Sequence, residues 1–504
     1  MKANVFIKKG SSMMSSFTLR KMCLTILLLP PLFINAHISI IGTGYVGLVS
    51  GACFADLGHS VICADIDNNK IENLKNLIMP IYEQGLYEVV QRNVQAGRLT
   101  FTSDINNAIQ NSDIIFIAVG TPMGDDGSVD LSYVNSVVET IGKNINSYKI
   151  IVTKSTVPIG TGKKIRTQLE QEYLINPNLF SVVSNPEFLR EGLAVHDFLQ
   201  PDRIVIGTDS DDALIALCEI YEPLITAGTN YVLTDIQTAE MIKYASNGFL
   251  SMKISYINEI ANLCDKTGAD AFTVAYAMGL DHRISPYFLN PGPGFGGSCF
   301  PKDSQALVYM AKQNELPFYT IEAALNANKV QQKKPVEKLL TLLSQQGNNS
   351  LSNKTIAVLG LAFKANTDDV RYSPAITTIQ LLLDHHAKVK AYDPIAMENM
   401  KHIFPHITYS NSLYDAVKNA DAIIIITDWN EIKQLDFNHV KALMRQPIIV
   451  DTRNIINPEI LKNIGFICDT IGQSYLCKRQ HHYTRKLIPI HLRKRMPFNK
   501  QSIK

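Results

Sequence analysis

The sequence predicts an α/β protein with two doubly wound domains that are joined by a long central helical segment. Three observations support this fold class. Short apolar runs alternate with helix-like stretches from His37 to about residue 230, as in a parallel sheet covered by helices on both faces. The same order of features returns after residue 350. Between them, the apolar residues of segment 234–268 are spaced three and four apart, as on a helix.

The repeated features predict the domain boundaries. The run "KTIAVLGLAFK" at 354–364 echoes "HISIIGTGYVG" at 37–47, and "AKVKAYDP" at 387–394 echoes "SVICAD" at 60–65. A third echo, in the same order, pairs 413–429 with 105–121. We predict a first domain at 37–230, a central helical segment at 231–330 that also supplies a dimer interface, and a second domain at 350–476.

Both ends of the chain are basic. Residues 1–36 hold five Lys or Arg and residues 478–504 hold nine, with no acid in either segment; the whole chain has a net charge of +2, so residues 37–477 are acidic. An acidic body argues against a nucleic-acid partner. Residues 20–36 resemble a secretory signal, but the apolar run is short and contains Pro30 and Pro31. We expect no stable membrane insertion. The extension at 1–36 is either signal-like or a misassigned start, and 477–504 is a basic tail.

The eight cysteines are scattered and none forms a Cys-x-x-Cys pair. The sequence therefore predicts neither a zinc site nor a redox dithiol, and no metal is expected. Free thiols spread through a large chain are typical of a reducing compartment.

A glycine turn in the first domain predicts a dinucleotide site. Residues 42–47 follow a strand, open a helix and form a Gly-x-Gly-x-x-Gly pattern, and Asp65 ends the next strand. The first two glycines allow a tight turn and close approach to a pyrophosphate at the helix N-terminus. Asp65 would accept hydrogen bonds from the adenine ribose and repel a 2′-phosphate, which favours NAD over NADP in a Rossmann domain. Lys70 is either a ribose contact or an exposed lysine. The second copy, "LGLAFK", has one glycine and is expected to bind another ligand.

Cys299 lies in the glycine-rich segment "PGPGFGGSCFPKD" at 291–303. A thiol nucleophile beside a nicotinamide cofactor points to aldehyde oxidation through a hemithioacetal and a thioester. Lys302 and Asp303 could tune the thiol or relay protons. The alternative is an inert buried cysteine, which is the interpretation we give to the other seven.

Two pairs of polar residues are spaced four apart. Lys243 and Asn247 share one face of the predicted central helix, where they would stabilise an oxyanion or form a solvated surface. Glu187 and Glu191 in "NPEFLREG" would activate water or lie in the exposed first turn of a helix.

Six motifs together resemble the UDP-glucose/GDP-mannose dehydrogenase family. They are "GTGYVG", "STVPIGTG", "NPEFLREG", "KYASN", "PGPGFGGSCFPKD" and "LGLAFKANTDDVRYSP". The resemblance runs from about His37 to Gly472, and the cysteine segment is its most specific part. It implies two Rossmann-like domains and oxidation of a sugar C6 alcohol to a carboxylate with reduction of two NAD. UDP-glucose is the implied substrate and a homodimer or higher homo-oligomer the implied assembly.

The resemblance also implies roles for individual residues. Cys299 would be the nucleophile, Lys243, Asn247 and Asp303 would stabilise oxyanions and handle protons, and Glu187 and Thr156 would serve thioester hydrolysis. NAD would contact Gly42, Thr43, Gly44, Tyr45, Val46, Gly47, Asp65, Lys70, Thr121, Thr156, Glu191 and Arg371. The UDP-sugar would contact Glu187, Phe188, Leu189, Lys243, Asn247, Phe288, Asn290, Gly292, Gly294, Phe295, Gly296, Phe363, Lys364, Arg453 and, from a neighbouring subunit, Arg283.

Two other functions stay open at this point. One is a related sugar-nucleotide 6-dehydrogenase that acts on GDP-mannose or a UDP-N-acetylhexosamine. The other is a nonenzymatic NAD-binding scaffold, against which the intact set of Cys299, Lys243, Asn247 and Asp303 argues. A cytoplasmic location is expected, because a periplasmic enzyme would lack NAD and UDP-sugar.

Overall fold

The computed structural model describes residues 36–347 and 350–473. The basic tail and all but the last residue of the predicted N-terminal extension lie outside the described residues. Within the described ranges, no helix is long and apolar enough to cross a membrane, and no group of three or more His, Cys, Asp or Glu side chains could hold a metal ion.

The first sheet has eight strands within the described residues, in the order β3-β2-β1-β4-β5-β6-β7-β8. Neighbouring strands are parallel except β6 and β7, which are antiparallel. The order reverses between β1 and β4, which creates a crevice at the carboxyl ends of the strands. The strands are β1 (His37–Ile41), β2 (Ser60–Ala64), β3 (Leu99–Thr102), β4 (Ile114–Ile117), β5 (Lys149–Thr153), β6 (Phe180–Ser184), β7 (Arg203–Thr208) and β8 (Asn230–Thr234).

Helices cover both faces of this sheet. Strands β4, β5 and β6 are buried along their whole length, as expected for apolar strands between two helical layers. The helices are Tyr45–Asp56, Asn68–Lys75, Leu86–Gln95, Ile105–Gln110, Ser132–Asn144, Thr161–Gln171, Ala194–Leu199, Asp211–Ile220 and Glu222–Thr226, with a 3-10 turn at Pro177–Leu179.

The second sheet has six parallel strands in the part of the chain described, ordered β11-β10-β9-β12-β13-β14. Its order reverses between β9 and β12, so the doubly wound pattern recurs as predicted. The strands are β9 (Thr355–Leu359), β10 (Lys388–Tyr392), β11 (Thr408–Tyr409), β12 (Ala422–Ile425), β13 (Ile448–Asp451) and β14 (Ile467–Thr470). Its helices are Pro374–Asp384, Met397–Lys401, Leu413–Val417, Asn430–Lys433, Phe437–Leu443 and Pro458–Ile464.

A long central helix, Ile236–Thr267, begins the helical segment that connects the two sheets. The Asp235 side chain caps its start by accepting from the Thr238 amide, and Gly268 ends it in the left-handed conformation, as is common at helix C-termini. The prediction of a helix over 234–268 is confirmed. Four helices follow before the second sheet: Ala271–Gly279, Phe300–Gln313, Tyr319–Gln331 and Lys334–Gln345.

The first turn of the second sheet is closed by Asp393, which directly follows β10 as Asp65 directly follows β2. Asp393 is fully buried and accepts five hydrogen bonds. Four come from backbone amides and one from the indole of Trp429. Asp393 thus uses its oxygens to hold the turn and Trp429, in contrast to Asp65, whose partners include Lys70 at the edge of the glycine turn.

Candidate active site

The turn at residues 42–47 has the shape that a pyrophosphate needs. Gly42 has a φ of 101°, which favours glycine. A Cβ at Gly47 would collide with the Gly42 carbonyl oxygen, whereas a Cβ at Gly44 would meet no atom within 4 Å. The turn is therefore tight on its inner side and open at Gly44, directly before the helix Tyr45–Asp56. Amides and the positive helix end face that opening, so these residues fit NAD.

Asp65 is held beside this turn. Its Oδ2 accepts from the Thr43 amide at 2.8 Å, the Thr43 hydroxyl at 2.7 Å and Lys70 Nζ at 3.0 Å. Burial acts to raise the pKa of Asp65, but these bonds and one from the Asp67 amide stabilise the carboxylate and lower the pKa overall. Asp65 is thus a carboxylate at neutral pH. Lys70, which the sequence left open as exposed or functional, is its ion-pair partner.

Two further predicted cofactor residues join neighbouring segments. Thr121, after β4, donates its hydroxyl to the Thr156 carbonyl at 3.0 Å. The Tyr45 hydroxyl bonds the Tyr82 carbonyl and lies 3.2 Å from the Thr367 hydroxyl. Thr367 belongs to the second domain, so the cofactor turn is connected across the two sheets. Val46 packs against the hydrophobic core between the first sheet and its helices.

Two residues of the central helix contact one predicted residue of the loop after β6 and one that follows the cysteine. Lys243 is 3% exposed, and its Nζ donates to the Glu187 carboxylate at 2.7 Å and to the Glu187 carbonyl at 2.8 Å. One turn later, Asn247 donates to Asp303 Oδ2 at 2.6 Å. Lys302 Nζ lies 2.6 Å from Asp303 Oδ1. The prediction that Lys243 and Asn247 share a helix face is confirmed, and that face is buried rather than solvated.

Cys299 immediately precedes the helix Phe300–Gln313. Burial raises the pKa of its thiol to about 11, the charge of Lys243 acts to lower it, and Glu187 and Asp303 act to raise it. For Glu187, burial is outweighed by Lys243 and the carboxyl pKa falls below its usual range. For Lys243, burial acts to lower the pKa, but Glu187, Cys299 and Asp303 raise it overall. The resting site therefore holds a charged lysine, a charged Glu187 and a protonated thiol.

Glu191 and Arg371 meet on the second-domain side of the cysteine. The Glu191 carboxylate accepts from the Ser298 hydroxyl at 2.7 Å and lies 3.6 Å from the Arg371 guanidinium. Burial and the nearby charge of Asp369 raise the pKa of Glu191 to about 7, although Ser298 and Arg371 oppose them. Glu187 and Glu191 lie in a loop after β6, so the alternative of an exposed first helical turn is wrong.

The glycine-rich loop before Cys299 is fastened on several sides. The Gly292 amide donates to Asn258 and the Phe295 amide to Asn328, both at 2.8 Å. A Cβ at Gly296 would collide with the Tyr372 carbonyl, and one at Gly294 would come within 2.7 Å of Asn328. The loop thus packs closely between the central helices and the second domain.

The predicted second-domain residues lie against this loop. Arg453 donates to the Ile426 carbonyl at 2.6 Å and the Phe363 carbonyl at 2.8 Å, and a Cβ on Gly292 would touch its guanidinium at 3.4 Å. Lys364 lies 5.4 Å from the ring of Phe363. Burial lowers the pKa of Lys364, while Glu191 acts to raise it.

Two of the remaining predicted substrate residues are exposed and a third is half-buried. Arg283 is exposed and paired with Asp281 at 2.6 Å. Asn290 is exposed. Phe288 is half-buried, and its ring centroid is 6.0 Å from that of Phe300.

Comparison with known proteins places the chain in a family. Models of the UDP-glucose/GDP-mannose dehydrogenase family match three segments: its NAD-binding domain at 36–225, its central domain at 237–330 and its UDP-binding domain at 357–458. The chain belongs to the UDP-glucose/GDP-mannose dehydrogenase family. The resemblance seen in the motifs is confirmed, and NAD is the cofactor.

Individual relatives cover most of the chain. The UDP-glucose 6-dehydrogenase TuaD of Bacillus subtilis is 49% identical over 437 residues, which span 86% of this chain and 93% of the relative. A UDP-glucose dehydrogenase structure from Pyrobaculum islandicum has a TM-score of 0.78 at 37% identity and covers 85% of this chain and 96% of its own. A UDP-D-ManNAc dehydrogenase from Pyrococcus horikoshii has a TM-score of 0.77 at 28% identity, with coverage of 86% and 99%.

Two buried charged residues that the sequence analysis did not single out lie against the segments that carry predicted site residues. Lys154, two residues before Thr156, is buried with its Nζ 2.9 Å from Asn185 Oδ1 and 3.2 Å from the Tyr221 hydroxyl. Glu83 accepts from the Gly192 and Ala194 amides at 2.6 and 2.8 Å, which fixes the loop that carries Glu191. A lysine directly after a buried strand was the available signal for Lys154.

Proposed function

We propose that the chain catalyses the NAD-dependent four-electron oxidation of UDP-glucose to UDP-glucuronate through covalent intermediates on Cys299. The observation that supports this proposal is the pair of buried contacts Lys243–Glu187 and Asn247–Asp303, whose charged members act on the Cys299 thiol, in a family of nucleotide-sugar dehydrogenases. The relative at 49% identity is named a UDP-glucose 6-dehydrogenase, which favours glucose as the sugar.

The first oxidation turns the C6 alcohol into an aldehyde. NAD held at the turn of residues 42–47 would supply the hydride acceptor, one NAD molecule for each of the two oxidations. Asp303, acting directly or through water, receives the hydroxyl proton. Lys243 and Asn247 stabilise the negative charge that develops on the C6 oxygen. Their buried position makes this electrostatic stabilisation stronger than it would be in water.

The second oxidation needs the thiol. The Cys299 thiol gives up its proton to solvent water, its sulfur bonds the aldehyde carbon as the carbon–oxygen double bond opens, and the thiohemiacetal oxyanion that forms lies beside Lys243 and Asn247. Loss of the second hydride leaves a thioester. Water then attacks the thioester carbon, the carbon–sulfur bond breaks, and the carboxylate product and the thiol are released. The ionised Glu187 and the backbone at Thr156 orient that water.

We assign binding roles to the residues around this cluster. NAD lies along the turn at 42–47, with Asp65 and Lys70 at the adenine ribose and Thr121, Glu191 and Arg371 toward the nicotinamide. The UDP-sugar lies between segment 187–189, the loop at 290–296 and the second-domain residues Phe363, Lys364 and Arg453.

We also propose the three-part division at 37–230, 231–330 and 350–476, with the central part forming a homodimer. Four large apolar side chains form an exposed stripe on the central helix at steps of seven and eight residues: Met241, Phe249, Tyr256 and Leu263. A stripe of this kind is the usual surface for helix–helix association. Arg283 would then reach the substrate of the second copy. Sedimentation of the wild type and Phe249→Asp tests this: a dimer that the variant disrupts is expected, and a wild-type monomer contradicts it.

The reaction consumes NAD and a nucleotide sugar, which the cytoplasm supplies, and we propose that location.

The deciding experiment is NADH formation by the purified chain with UDP-glucose, UDP-ManNAc and GDP-mannose. We expect two NADH per UDP-glucose and much slower turnover of the other two. Cys299→Ala should lose turnover by several orders of magnitude but still bind NAD and UDP-glucose. Near wild-type UDP-glucuronate production by this variant would rule out the covalent route.

A further inference from the structure

Arg203 reaches the active-site edge of the first sheet because its strand runs in the opposite direction. β7 is antiparallel to β6, with Ser184 opposite Gly207. Counting back along β7 from Gly207 takes the chain past the end of β6 to the level of segment 187–189. The first residue of β7, and not its last, therefore lies where the carboxyl ends of the parallel strands form the site.

The Arg203 guanidinium stacks on the ring of Phe188. Its central carbon lies 3.6 Å from the ring centroid, whereas Lys243 Nζ is 5.5 Å from the same centroid. A cation over an aromatic face is attracted to it, and a flat guanidinium also limits how the ring can tilt. Among the residues that the structure describes, this guanidinium forms no hydrogen bond and no ion pair within 4 Å, so stacking on the ring is the direct polar contact that the structure shows for it.

The charge of Arg203 is retained in this half-buried position. Burial lowers its pKa, while the charges of Asp202 and Glu187 act in the opposite direction. A guanidinium stays protonated at neutral pH under these conditions. The stacked group is therefore a cation on the face of Phe188.

Segment 187–189 is consequently held by side chains from two different elements. Lys243 of the central helix bonds both the carbonyl and the carboxylate of Glu187, and the Leu189 amide donates to the same carboxylate. Arg203 of β7 supports Phe188, the residue between them. Loss of this stacking would remove one of the two cations that lie near the Phe188 ring, and we expect the ring to be held less firmly.

We propose that Arg203 is a positioning residue for the hexose: by stacking on Phe188 it keeps segment 187–189 in the shape that contacts the sugar. The inference rests on the proposed function, which places the sugar against this segment. In this proposal Arg203 acts through Phe188 and is assigned no contact of its own with the uridine diphosphate or the cofactor. Its removal should therefore weaken the binding of UDP-glucose and leave the binding of UDP alone and of NAD unchanged.

The test compares Kd values from calorimetry for UDP-glucose, UDP and NAD in wild type, Arg203→Met and Arg203→Lys. We expect Arg203→Met to raise the Kd of UDP-glucose about tenfold, as for the loss of one partly buried cation–π contact. Arg203→Lys keeps a cation over the ring and should recover part of the affinity. The matched control is Arg166→Met. In the wild type the Arg166 guanidinium lies 5.9 Å from the ring of Phe180, at the other end of β6, so this variant should change none of the three Kd values.

A double-mutant cycle with Phe188→Leu tests the route of the effect. If Arg203 acts through the ring, the double variant should bind UDP-glucose no more weakly than Phe188→Leu alone. The inference is overturned if Arg203→Met leaves the Kd of UDP-glucose unchanged or raises the Kd of UDP by the same factor. It is also overturned if the effects of Arg203→Met and Phe188→Leu on the Kd of UDP-glucose are fully additive in the double variant. A wild type that neither binds UDP-glucose nor reduces NAD with it would overturn the proposed function as well, and the two failures are thereby distinguished.

Discussion

The thiol of Cys299 is expected to be protonated in the substrate-free protein and to react slowly with alkylating agents. Only the thiolate is a good nucleophile. Burial raises the pKa of Cys299 to about 11, so the thiolate fraction is about one in ten thousand at pH 7 and about one in a hundred at pH 9. The alkylation rate should therefore rise about tenfold per pH unit over this range. An unperturbed thiol with a pKa of about 8.5 would instead be levelling off by pH 9.

The assay is iodoacetamide labelling between pH 7 and 9, followed by mass spectrometry of the peptide that contains Cys299, with glutathione as the reference thiol. Two variants should shift the rate in opposite directions. Lys243→Met removes the cation that lowers the thiol pKa and should slow labelling, whereas Glu187→Gln removes an anion that raises it and should speed labelling. A rate that reaches a plateau at or below pH 8, or that moves in the same direction in both folded variants, would refute this account of the thiol.

Three other predictions follow from charges and buried groups outside the thiol. Asp65 should make kcat/KM at least about tenfold higher for NAD than for NADP, and Asp65→Asn should narrow this ratio; equal values for the wild type would contradict it. Burial lowers the pKa of Lys154 to about 7, whereas a lysine in an unfolded chain has a pKa of about 10.4. Between these two pH values the unfolded state binds one more proton than the folded state, so the free energy of unfolding rises with pH. The free energy of unfolding in urea of the wild type, minus that of Lys154→Met, should then increase by up to about 1.4 kcal/mol per pH unit from pH 7 to 9. A difference that stays constant over this range would be inconsistent with a neutral buried lysine. Asp393→Asn leaves some of five buried donors unsatisfied and should lower the free energy of unfolding by about 3 kcal/mol. Unfolding is followed by the fluorescence of Trp429, the one tryptophan of the chain. A decrease below about 1 kcal/mol would contradict this account of Asp393.

The features that the sequence predicted correctly depend on residues close together in the chain or on one periodic element. The turn at 42–47 and its acid at Asp65 belong to one strand–helix–strand unit, whose connections are short and follow a fixed hand. The shared face of Lys243 and Asn247 follows from the helical repeat alone. Local patterns of this kind specify where side chains point before any tertiary contact is known.

The residues that the sequence analysis missed depend on long-range geometry. Lys154 is buried because Asn185 and Tyr221, from two other elements, accept its hydrogen bonds. Arg203 reaches Phe188 only because β7 reverses direction, and a six-residue apolar strand carries no mark of its direction. For the same reason, the two glutamates of "NPEFLREG" were open to interpretation as a helix start, since their burial depends on partners far away in the sequence.

The two sheets also show how a repeated fold can use one position in different ways. Asp65 and Asp393 each directly follow the second strand of a doubly wound sheet, but Asp65 lies beside an open glycine turn while Asp393 is buried under five donors. The loop that carries Cys299 lies between these two halves: Ser298 bonds Glu191 of the first, and the Gly297 amide donates to the Arg371 carbonyl of the second at 2.8 Å. Because the loop is held by contacts to both halves, a change in their relative position would break the bond to Glu191 or the bond to Arg371 and so displace the thiol. Chemistry at Cys299 should therefore require the two halves to stay together, and variants that weaken contacts between them should lower kcat even where no reacting group is altered.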